Sequence, residues 1–499
     1  MAFDGLVTYA ICKELNSNII GSRIEKIHMP TKNEIIFITH SNNEKLKLLI
    51  SIDPSNARVH FTWGQKENPT KAPSFCMVLR KYLQGSKILS INQNGLDRVI
   101  IINFENINEL GDKVTYNLYI ELMGKYSNII LVNEKNKILD SIKHVDFTMS
   151  SVREVLPARD YIIPTNLGKI SFLELSEDEF CKIILDIKNN EFYSYETMSK
   201  IISNTFVGFS KTFIDTIISK LDLKENLTYD QAKNIYKEIL LILSNISNNN
   251  ISLKLYENDY HFDLNFINNE FLDTKDQISN NIEKKYHNSI FLDGFYLKKE
   301  LDNSIKTAKF NLLKDVNSFK NKYLKNLSRV NDIISEKENM SKYKLYGELI
   351  QANIYRISPG INKISVENYY DNNNLIEIPL NTSISPAMNS GAYFKKYTKI
   401  KNAISMAEKQ KEDYINNINY LDNVSYLIDS SSSIEEIEAI KQELTLAGYK
   451  NYWSIKRKYF DEQKLQPIEY VVDGVKIKVG RNNIQNDKLT LKEAHKNYT

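Results

Sequence analysis

The sequence predicts an α+β multidomain fold. Its 499 residues are too many for a single core and should divide into about three or four domains. Strand-like runs separated by turns fill the first 170 residues, whereas apolar residues between Leu301 and Ile334 recur about every 3.7 residues, as in a long helix. We expect an antiparallel α/β domain first, then a helical domain, a long antiparallel helical stalk with a small β tip, and the truncated start of a C-terminal α/β domain.

The first domain should combine two helices with antiparallel strands. Asp4 is a favourable N-cap for a helix that runs to about Leu15. Pro73-Ser74 opens a second helix, and Gly85 can close it in the left-handed conformation. The strand-like runs are 23–27, 34–38, 45–52, 58–62, 87–91, 99–104, 114–122 and 128–132.

The turn before one of these strands carries charges in an unusual place. Asn94-Gly95 leads through Asp97 and Arg98 into Val99–Ile102, which is β-branched throughout and should be covered on both faces. Successive strand side chains point to opposite faces, so Asp97 and Arg98 address one ligand only if the turn or a bulge breaks that alternation. On the residues alone, the commoner explanation is that Asp97 caps the turn and Arg98 is a solvated edge charge.

Three basic residues precede this turn closely in the chain. Arg80, Lys81 and Lys87 are expected to be its neighbours on an exposed surface, if the turn is a binding site.

Residues 173–245 are predicted to be helical, beginning at a capped start near 176–179. Within them, a hydrophobic hairpin contains Gly208, followed by Ser210 and Lys211. Such a turn exposes backbone N–H groups at a helix N-terminus, where a phosphate can bind. With a single glycine, an ordinary junction between two packed helices is the commoner explanation. Residues 250–290 should add a small strand pair.

The stalk is predicted to pair a helix starting near Leu297 with a second helix of about 390–428. Between them, 364–370 and 375–378 should form a β hairpin at the tip. At 1.5 Å per residue, such a stalk reaches on the order of 60 Å or more. The lysines on its polar face could follow a phosphate surface or simply solvate the helix.

Positive charge is concentrated in parts of the chain. The totals are nearly balanced, with 65 Lys and Arg against 62 Asp and Glu. Residues 51–100 hold seven basic and three acidic side chains, and residues 291–345 hold twelve and seven. Residues 171–290 have an excess of negative charge, with twelve basic and nineteen acidic side chains. Local basic patches suit contact with nucleic acid at chosen surfaces.

Several classes of function lack support. The three scattered cysteines indicate neither a disulfide framework nor a zinc site, and we expect no metal and no cofactor. No run of about 18 apolar residues and no signal-like start occur, so no membrane partner is expected. The seven histidines do not cluster with cysteines and carboxylates, which argues against a nucleic-acid enzyme. We expect a cytoplasmic protein.

The motifs of the chain resemble those of the NFACT family from end to end. In the first domain they are Phe3-Asp4-Gly5-Leu6, 73–81, Asp97-Arg98, 121–128 and 153–157. In the stalk they are 346–349 with 352–353, 378–380 with 385–386 and Asn389, and 397–399. Near the end they are 479–483 with 485–486 and 489–490.

The resemblance implies ribosome quality control. Family members bind large ribosomal subunits, and their rRNA, that still hold a nascent peptidyl-tRNA. They recruit tRNA, tRNA(Ala) in bacteria, so that alanine is added to the stalled chain without mRNA and marks it for degradation. Such a protein is ribosome-associated and is not an enzyme, because the ribosome carries out peptidyl transfer.

The resemblance also assigns roles within the chain. The acid–base pair that the family requires for tailing matches Asp97 and Arg98, and the helical domain matches its helix-hairpin-helix module, which shares tRNA contact. The first domain also resembles that of certain DNA glycosylases, but Ala2 stands where those enzymes have a nucleophilic proline. Glycosylase chemistry is therefore not expected.

The resemblance divides the chain into six parts. They are the NFACT-N domain at 1–172, the helix-hairpin-helix domain with its β appendage at 173–288, the first coiled-coil helix at 289–352, the β tip at 353–388, the second coiled-coil helix with a short helix at 389–447, and a linker with the incomplete start of an NFACT-R domain at 448–499. The rival expectation is a surface adhesin that binds fibronectin.

Overall fold

The chain forms two compact units, Met1–Glu300 and Leu301–Thr499. The computed structural model describes residues 3–41, 44–108, 110–164, 168–188, 195–221, 228–248, 251–255, 262–266, 280–450, 467–472 and 475–494. The predicted linker falls largely on 451–466, outside the described residues. No helix among the described residues carries an apolar stretch long enough to cross a membrane.

The first unit is built on a nine-stranded antiparallel sheet, which confirms the predicted α+β class. The strands stand in the order β4-β3-β2-β1-β5-β6-β7-β8-β9, so all neighbours but β1 and β5 are consecutive in the chain. Their bounds are β1 Arg23–Thr31, β2 Glu34–Ser41, β3 Glu44–Ser51, β4 Arg58–Phe61, β5 Lys87–Gln93, β6 Val99–Ile107, β7 Lys113–Glu121, β8 Asn128–Asn133 and β9 Ile138–Ser141.

Two helices pack on this sheet. α1 (Gly5–Ile19) begins as predicted, with Asp4 Oδ1 accepting from the N–H groups of Leu6 and Val7 at 3.1 and 3.0 Å. It runs past the predicted end because Leu15 and Ile19 are both fully buried in the core. α2 (Ser74–Leu83) ends before Gly85, whose φ of +83° is the predicted left-handed conformation.

The helical segment shares one core with the sheet. Its helices are α3 Glu177–Lys188, α4 Tyr195–Thr205, α5 Lys211–Lys220 and α6 Tyr229–Ser247. Phe172, Phe180 and Phe206 form an aromatic cluster that is continuous with the apolar face of the sheet. The predicted small strand pair follows as β10 (Ile251–Leu255) and β11 (Phe262–Phe266).

The long helix α7 (Asn280–Ser335) starts against the first domain. Its backbone is non-helical at Tyr286, and just beyond this kink Glu14 of α1 accepts from the N–H groups of Asn288 and Ser289 at 3.0 and 3.1 Å. A buried carboxylate therefore caps the helix that continues into the second unit.

A buried ion network also joins β4 to α7. The Nη2 atom of Arg58 lies 2.5 Å from Glu300 Oε1, and Lys66 Nζ lies 2.6 Å from Glu34 and 3.2 Å from Glu300. His60 accepts from Arg58 Nε at 3.2 Å. Burial, and then the charge of Arg58, lowers the pKa of His60 to about 3, so its imidazole is neutral.

The second unit contains the predicted antiparallel helix pair. Its elements are α8 Lys337–Ala352, β12 Lys363–Asn368, β13 Asn374–Pro379, α9 Pro386–Ser430 and α10 Ile434–Leu446. Three contacts fix the antiparallel direction: Lys309 with Asp429, Lys320 with Asp422, and Gly347 with Ser390. β12 and β13 form the predicted hairpin between the two arms.

Two details of the stalk differ from the prediction. Its first arm is not continuous, because Glu336, with φ −73° and ψ +6°, separates α7 from α8. Leu301, predicted to lie in the apolar stripe, is 56% exposed. The physical reason is length: α9 ends at Ser430, level with Lys309, and offers no partner at Leu301.

Near the end of the chain lies the third two-stranded sheet of the described residues, β14 (Ile468–Val472) with β15 (Val475–Val479), followed by a short helix α11 (Asn483–Lys488). Both strands are largely exposed. The turn before α11 and the first residue of that helix are held on α10: Glu436 pairs with Arg481 of the turn, and Glu443 accepts from Asn483 Nδ2 at 2.8 Å.

Candidate functional site

The turn between β5 and β6 is closed by its own backbone. The N–H of Asn94 donates to Val99 O at 3.0 Å, and the N–H of Asp97 donates to Asn94 O at 2.9 Å. Gly95 has a φ of +56°, which a side chain would disfavour. Asp97 Oδ1 accepts from the N–H of Arg98 at 2.7 Å. One carboxylate oxygen therefore caps the turn, as the commoner explanation of the sequence required.

The remaining polar atoms of the pair have no partner among the described residues. Asp97 Oδ2 is buried and has no hydrogen-bond partner, and within the described part of the chain the Arg98 guanidinium makes neither a hydrogen bond nor an ion pair. Both side chains are half-buried. A buried acceptor without a donor is costly, and an unpaired guanidinium offers several N–H groups in one plane. The Arg98 side chain can thus offer donors to an external ligand, whereas the unpartnered Oδ2 of Asp97 is shielded from solvent.

The hairpin of the helical segment lies against this turn. Gly5, at the start of α1, donates its N–H to Gly208 O at 3.0 Å, and both glycines touch the backbone of Leu96. Gln93 Nε2 donates to Gly5 O at 2.9 Å and to Asp97 O at 2.8 Å. The structure therefore brings together two candidate sites that are more than a hundred residues apart in the chain.

Lys169 adds a second cation to the surroundings of Arg98. Lys169 Nζ donates to Ser203 O at 2.9 Å, which holds it beside the hairpin. Its pKa is lowered, first by burial and then by the positive charge of Arg98, while the Asp97 carboxylate opposes the shift. Lys169 is thus within electrostatic reach of both residues of the pair. The resulting surface is cationic and suits a phosphate or a base edge.

The hairpin residues play unequal parts. The Ser210 hydroxyl is already used as the N-cap of α5, accepting from the N–H of Phe213 at 3.2 Å. Lys211 is exposed at the first position of that helix. Because an α-helix leaves its first N–H groups without intrahelical partners, this helix start can still attract an anion. A phosphate site at Gly208, Ser210 and Lys211 stays a prediction.

Arg80, Lys81 and Lys87 are not neighbours of the turn. Lys87 begins β5 and the turn follows its last residue, so the two lie roughly 20 Å apart at about 3.3 Å per residue. Lys81 is also far from the turn. The carbonyl of its neighbour Tyr82 accepts a hydrogen bond from Asn106, which lies near the end of β6 that is away from the turn. Arg80 Nε donates to Ile27 O at 2.9 Å. These three residues are close to the turn in sequence but not in space, because the length of β5 lies between them and the turn.

Two of the sequence motifs form a buried ion pair beside the turn. Arg153 donates to both carboxylate oxygens of Glu121, at 2.8 and 2.5 Å, and Tyr161 donates to Oε1 at 3.0 Å. Glu121 is fully buried and pairs with Val99 in the sheet. Burial, followed by the Glu121 charge, raises the pKa of Tyr161. This arrangement fixes the strand end that adjoins Arg98.

Sequence reasoning missed Lys169 and gave Gln93 no role. Lys169 is a single lysine in a segment with no local pattern, and only the pairing of Ile170 with Phe206 brings it to the site. Gln93 ends a strand next to the turn, where a buried amide can bond two carbonyls. Its position before Asn94-Gly95 was the one available signal. Among the described residues, no cluster of side chains could hold a metal ion.

The chain is similar to proteins of ribosome quality control. It is 34% identical to the Rqc2 homolog RqcH of Bacillus subtilis (strain 168) over 514 residues, which cover 99% of this chain and 84% of that protein. It is 28% identical to the ribosome quality control complex subunit NEMF of Homo sapiens over 155 residues, covering 30% of this chain and 13% of that protein.

A solved structure is also similar. The N-terminal part of the fibronectin/fibrinogen-binding protein from Streptococcus suis is 29% identical and covers 60% of this chain and 100% of that chain, with a TM-score of 0.48. The model that describes the NFACT N-terminal and middle domains matches residues 4–463. With its motifs, its antiparallel sheet and its long helical stalk, the chain belongs to the NFACT family.

Proposed function

We propose that the protein is a ribosome quality control factor. It binds obstructed large ribosomal subunits that carry peptidyl-tRNA and recruits tRNA(Ala), so that the stalled chain receives a C-terminal alanine tail and is degraded. The names of its relatives support the ribosome quality control role. The tRNA contact is supported by one observation: among the described residues the Arg98 guanidinium has neither a hydrogen-bond nor an ion-pair partner, while the Arg98 backbone is held by Asp97 Oδ1.

The division of labour follows from the chemistry of these groups. The Arg98 guanidinium pairs with a phosphate or with acceptors on a base edge, and Asp97 holds Arg98 in place, since its Oδ1 accepts from the Arg98 N–H. Lys169 adds positive charge for the sugar-phosphate backbone. Peptidyl transfer is left to ribosomal RNA, and the protein acts by placing tRNA.

The test is co-sedimentation with large subunits, followed by sequencing of the bound RNA and detection of alanine tails. Arg98→Ala and Asp97→Ala should each remove tRNA from the complex and abolish tailing, while large-subunit binding persists. Arg159 and Asp160 supply a matched control, because they are an exposed basic and acidic neighbour pair with surface partners. Their double alanine variant should tail normally.

Two results would contradict the proposal. Full tRNA recovery and tailing by Arg98→Ala would show that tRNA binds elsewhere. Recovery of the protein in cell-wall fractions, and its absence from ribosomal fractions, would favour the fibronectin-binding adhesin.

A further inference from the structure

The backbone of Leu96 lies in a slot between two glycines. A Cβ atom built on Gly5 would stand 2.0 Å from Leu96 O, and one built on Gly208 would stand 2.2 Å from the same oxygen. The obstructing atom is a backbone carbonyl, which cannot rotate away as a side chain can. Gly208 also has a φ of +88°. The turn occupies its position only because both residues lack side chains.

One side chain ties this slot to the acid–base pair. Gln93 Nε2 bonds the carbonyls of both Gly5 and Asp97. It therefore connects the start of α1 directly to the backbone of Asp97. The Leu96 side chain is buried in the shared core, so the turn is held from inside as well.

One of the two glycines around Leu96, Gly208, belongs to the helical segment. The N–H of Ile170 donates to Thr205 O at 2.8 Å, and the N–H of Val207 donates to Ile170 O at 3.0 Å. These bonds hold Gly208 next to the segment that carries Lys169. The relative placement of Arg98 and Lys169 thus depends on the hairpin.

We propose that Gly5, Gly208 and Gln93 are positioning residues of the tRNA site, which set the place of Asp97 and Arg98 through the backbone of Leu96. The proposal rests on the function proposed above. It is supported by Asp97 Oδ2, because a buried carboxylate oxygen without a donor persists only where the surrounding backbone is fixed.

The decisive comparison is Gly208→Ala against Gly85→Ala in the full chain. The two glycines have nearly equal φ values, +88° and +83°, so a Cβ strains both backbones alike. An added Cβ at Gly85 meets nothing within 4 Å, whereas at Gly208 it meets the Leu96 carbonyl. Gly85→Ala therefore controls for conformational strain and loss of stability.

We expect Gly208→Ala to weaken binding of purified tRNA(Ala) by roughly tenfold or more, the scale of losing one hydrogen bond to a charged group. Hydrogen exchange of the peptide containing Asp97 and Arg98 should also accelerate, because their N–H groups bond to Asn94 O and Asp97 Oδ1. Gly85→Ala should change neither quantity.

A milder variant covers the case in which Gly208→Ala does not fold. Gln93→Met keeps the length of the side chain and removes both hydrogen bonds without a clash. Its control is Gln84→Met, an exposed glutamine at the C-cap of α2. Gln93→Met should weaken tRNA binding and accelerate the same exchange, and Gln84→Met should do neither.

The outcomes separate the two proposals. If Arg98→Ala loses tRNA but Gly208→Ala and Gln93→Met bind like their controls, the positioning role is wrong and the tRNA site stands. If Arg98→Ala keeps full tRNA affinity, the function proposed for the pair is wrong, and the positioning role falls with it.

Discussion

Asp97 uses one of its two carboxylate oxygens to close the turn. Oδ1 accepts from the Arg98 N–H, and Oδ2 is buried without a hydrogen-bond partner among the described residues. The capping explanation is therefore confirmed, and the contact of this pair with RNA stays a prediction. Arg98 contributes the complementary donors.

Lys169 should contribute to RNA affinity through charge alone. We expect Lys169→Gln to weaken tRNA binding several-fold and to reduce the salt dependence of log Kd by about one unit or slightly less, the value for one phosphate contact. Titration at several salt concentrations measures both. Lys87→Gln is the control, because Lys87 begins β5 at the end away from the turn. An equal loss of slope in Lys87→Gln would contradict this assignment.

His60 should make the first unit less stable in mild acid. Its pKa of about 3 lies below its usual 6.5, so between these values the unfolded chain binds a proton that the folded chain excludes. Stability should fall by about 1 kcal/mol for each pH unit below about 6. Urea unfolding at pH 7 and pH 5 measures this loss.

His60→Gln provides the reference for that measurement. A glutamine can accept from Arg58 Nε as His60 does, but it does not titrate. Burial raises the pKa of Glu14, so protonation of Glu14 makes the folded state more stable as the pH falls. This contribution is the same in the wild type and in the variant, and it cancels when the two stabilities are subtracted. Equal pH dependence in the two proteins would show that His60 is not the responsible group.

For individual residues, the sequence predicted those that form the turn but not the distant residues that lie around it. The Asn94-Gly95 turn, the N-cap Asp4 and the left-handed Gly85 follow from local chemistry and are confirmed. Lys169 depends on a pairing between distant segments, which no local pattern encodes. Lys87 shows the converse: it is close to the turn in sequence, but the whole length of β5 separates it from the turn in space.

The elements themselves were predictable wherever periodicity was strong. Strands of the sheet and both arms of the stalk appear close to their expected positions because burial follows their apolar pattern. The break at Glu336 and the exposed Leu301 were not predictable, because each depends on the partner helix and where it ends.

The crossing of α8 and α9 should tolerate an added methyl group at one glycine and not at another. Gly391 has open space around it, and Gly391→Ala should stabilise α9 by about 1 kcal/mol through helix propensity. At Gly347 a Cβ would stand 3.0 Å from Phe394 Cζ, and its carbonyl accepts from Ser390 Oγ at 2.9 Å.

Gly347→Ala should therefore fail to gain this stability and should loosen the crossing. Hydrogen exchange of the amides in α8 and α9 measures the two effects side by side. Slower exchange in both variants would mean that the ring of Phe394 moves aside at little cost.

At the scale of the whole molecule, the two units should perform separable tasks. Tyr369 and Tyr370 are exposed at the β12–β13 turn, with ring centroids 4.5 Å apart, and offer an aromatic surface at one end of the stalk. Under the proposed function, this tip contacts the large subunit.

The double variant Tyr369→Ser, Tyr370→Ser should lower co-sedimentation with large subunits by roughly tenfold, on the scale of losing two aromatic anchors, without changing affinity for free tRNA. Arg98→Ala should do the reverse. Both measurements use the same two proteins. Parallel losses in both assays would contradict the separation of tasks.

The contact between Gly5 and Gly208 also sets a time at which the site can form. During synthesis the N-terminal strands emerge first, but the slot around Leu96 remains open on one side until the hairpin has left the ribosome. Closing a contact across about two hundred residues is slow compared with forming a local turn. The acid–base pair therefore reaches its final geometry late, after most of the first unit has been translated.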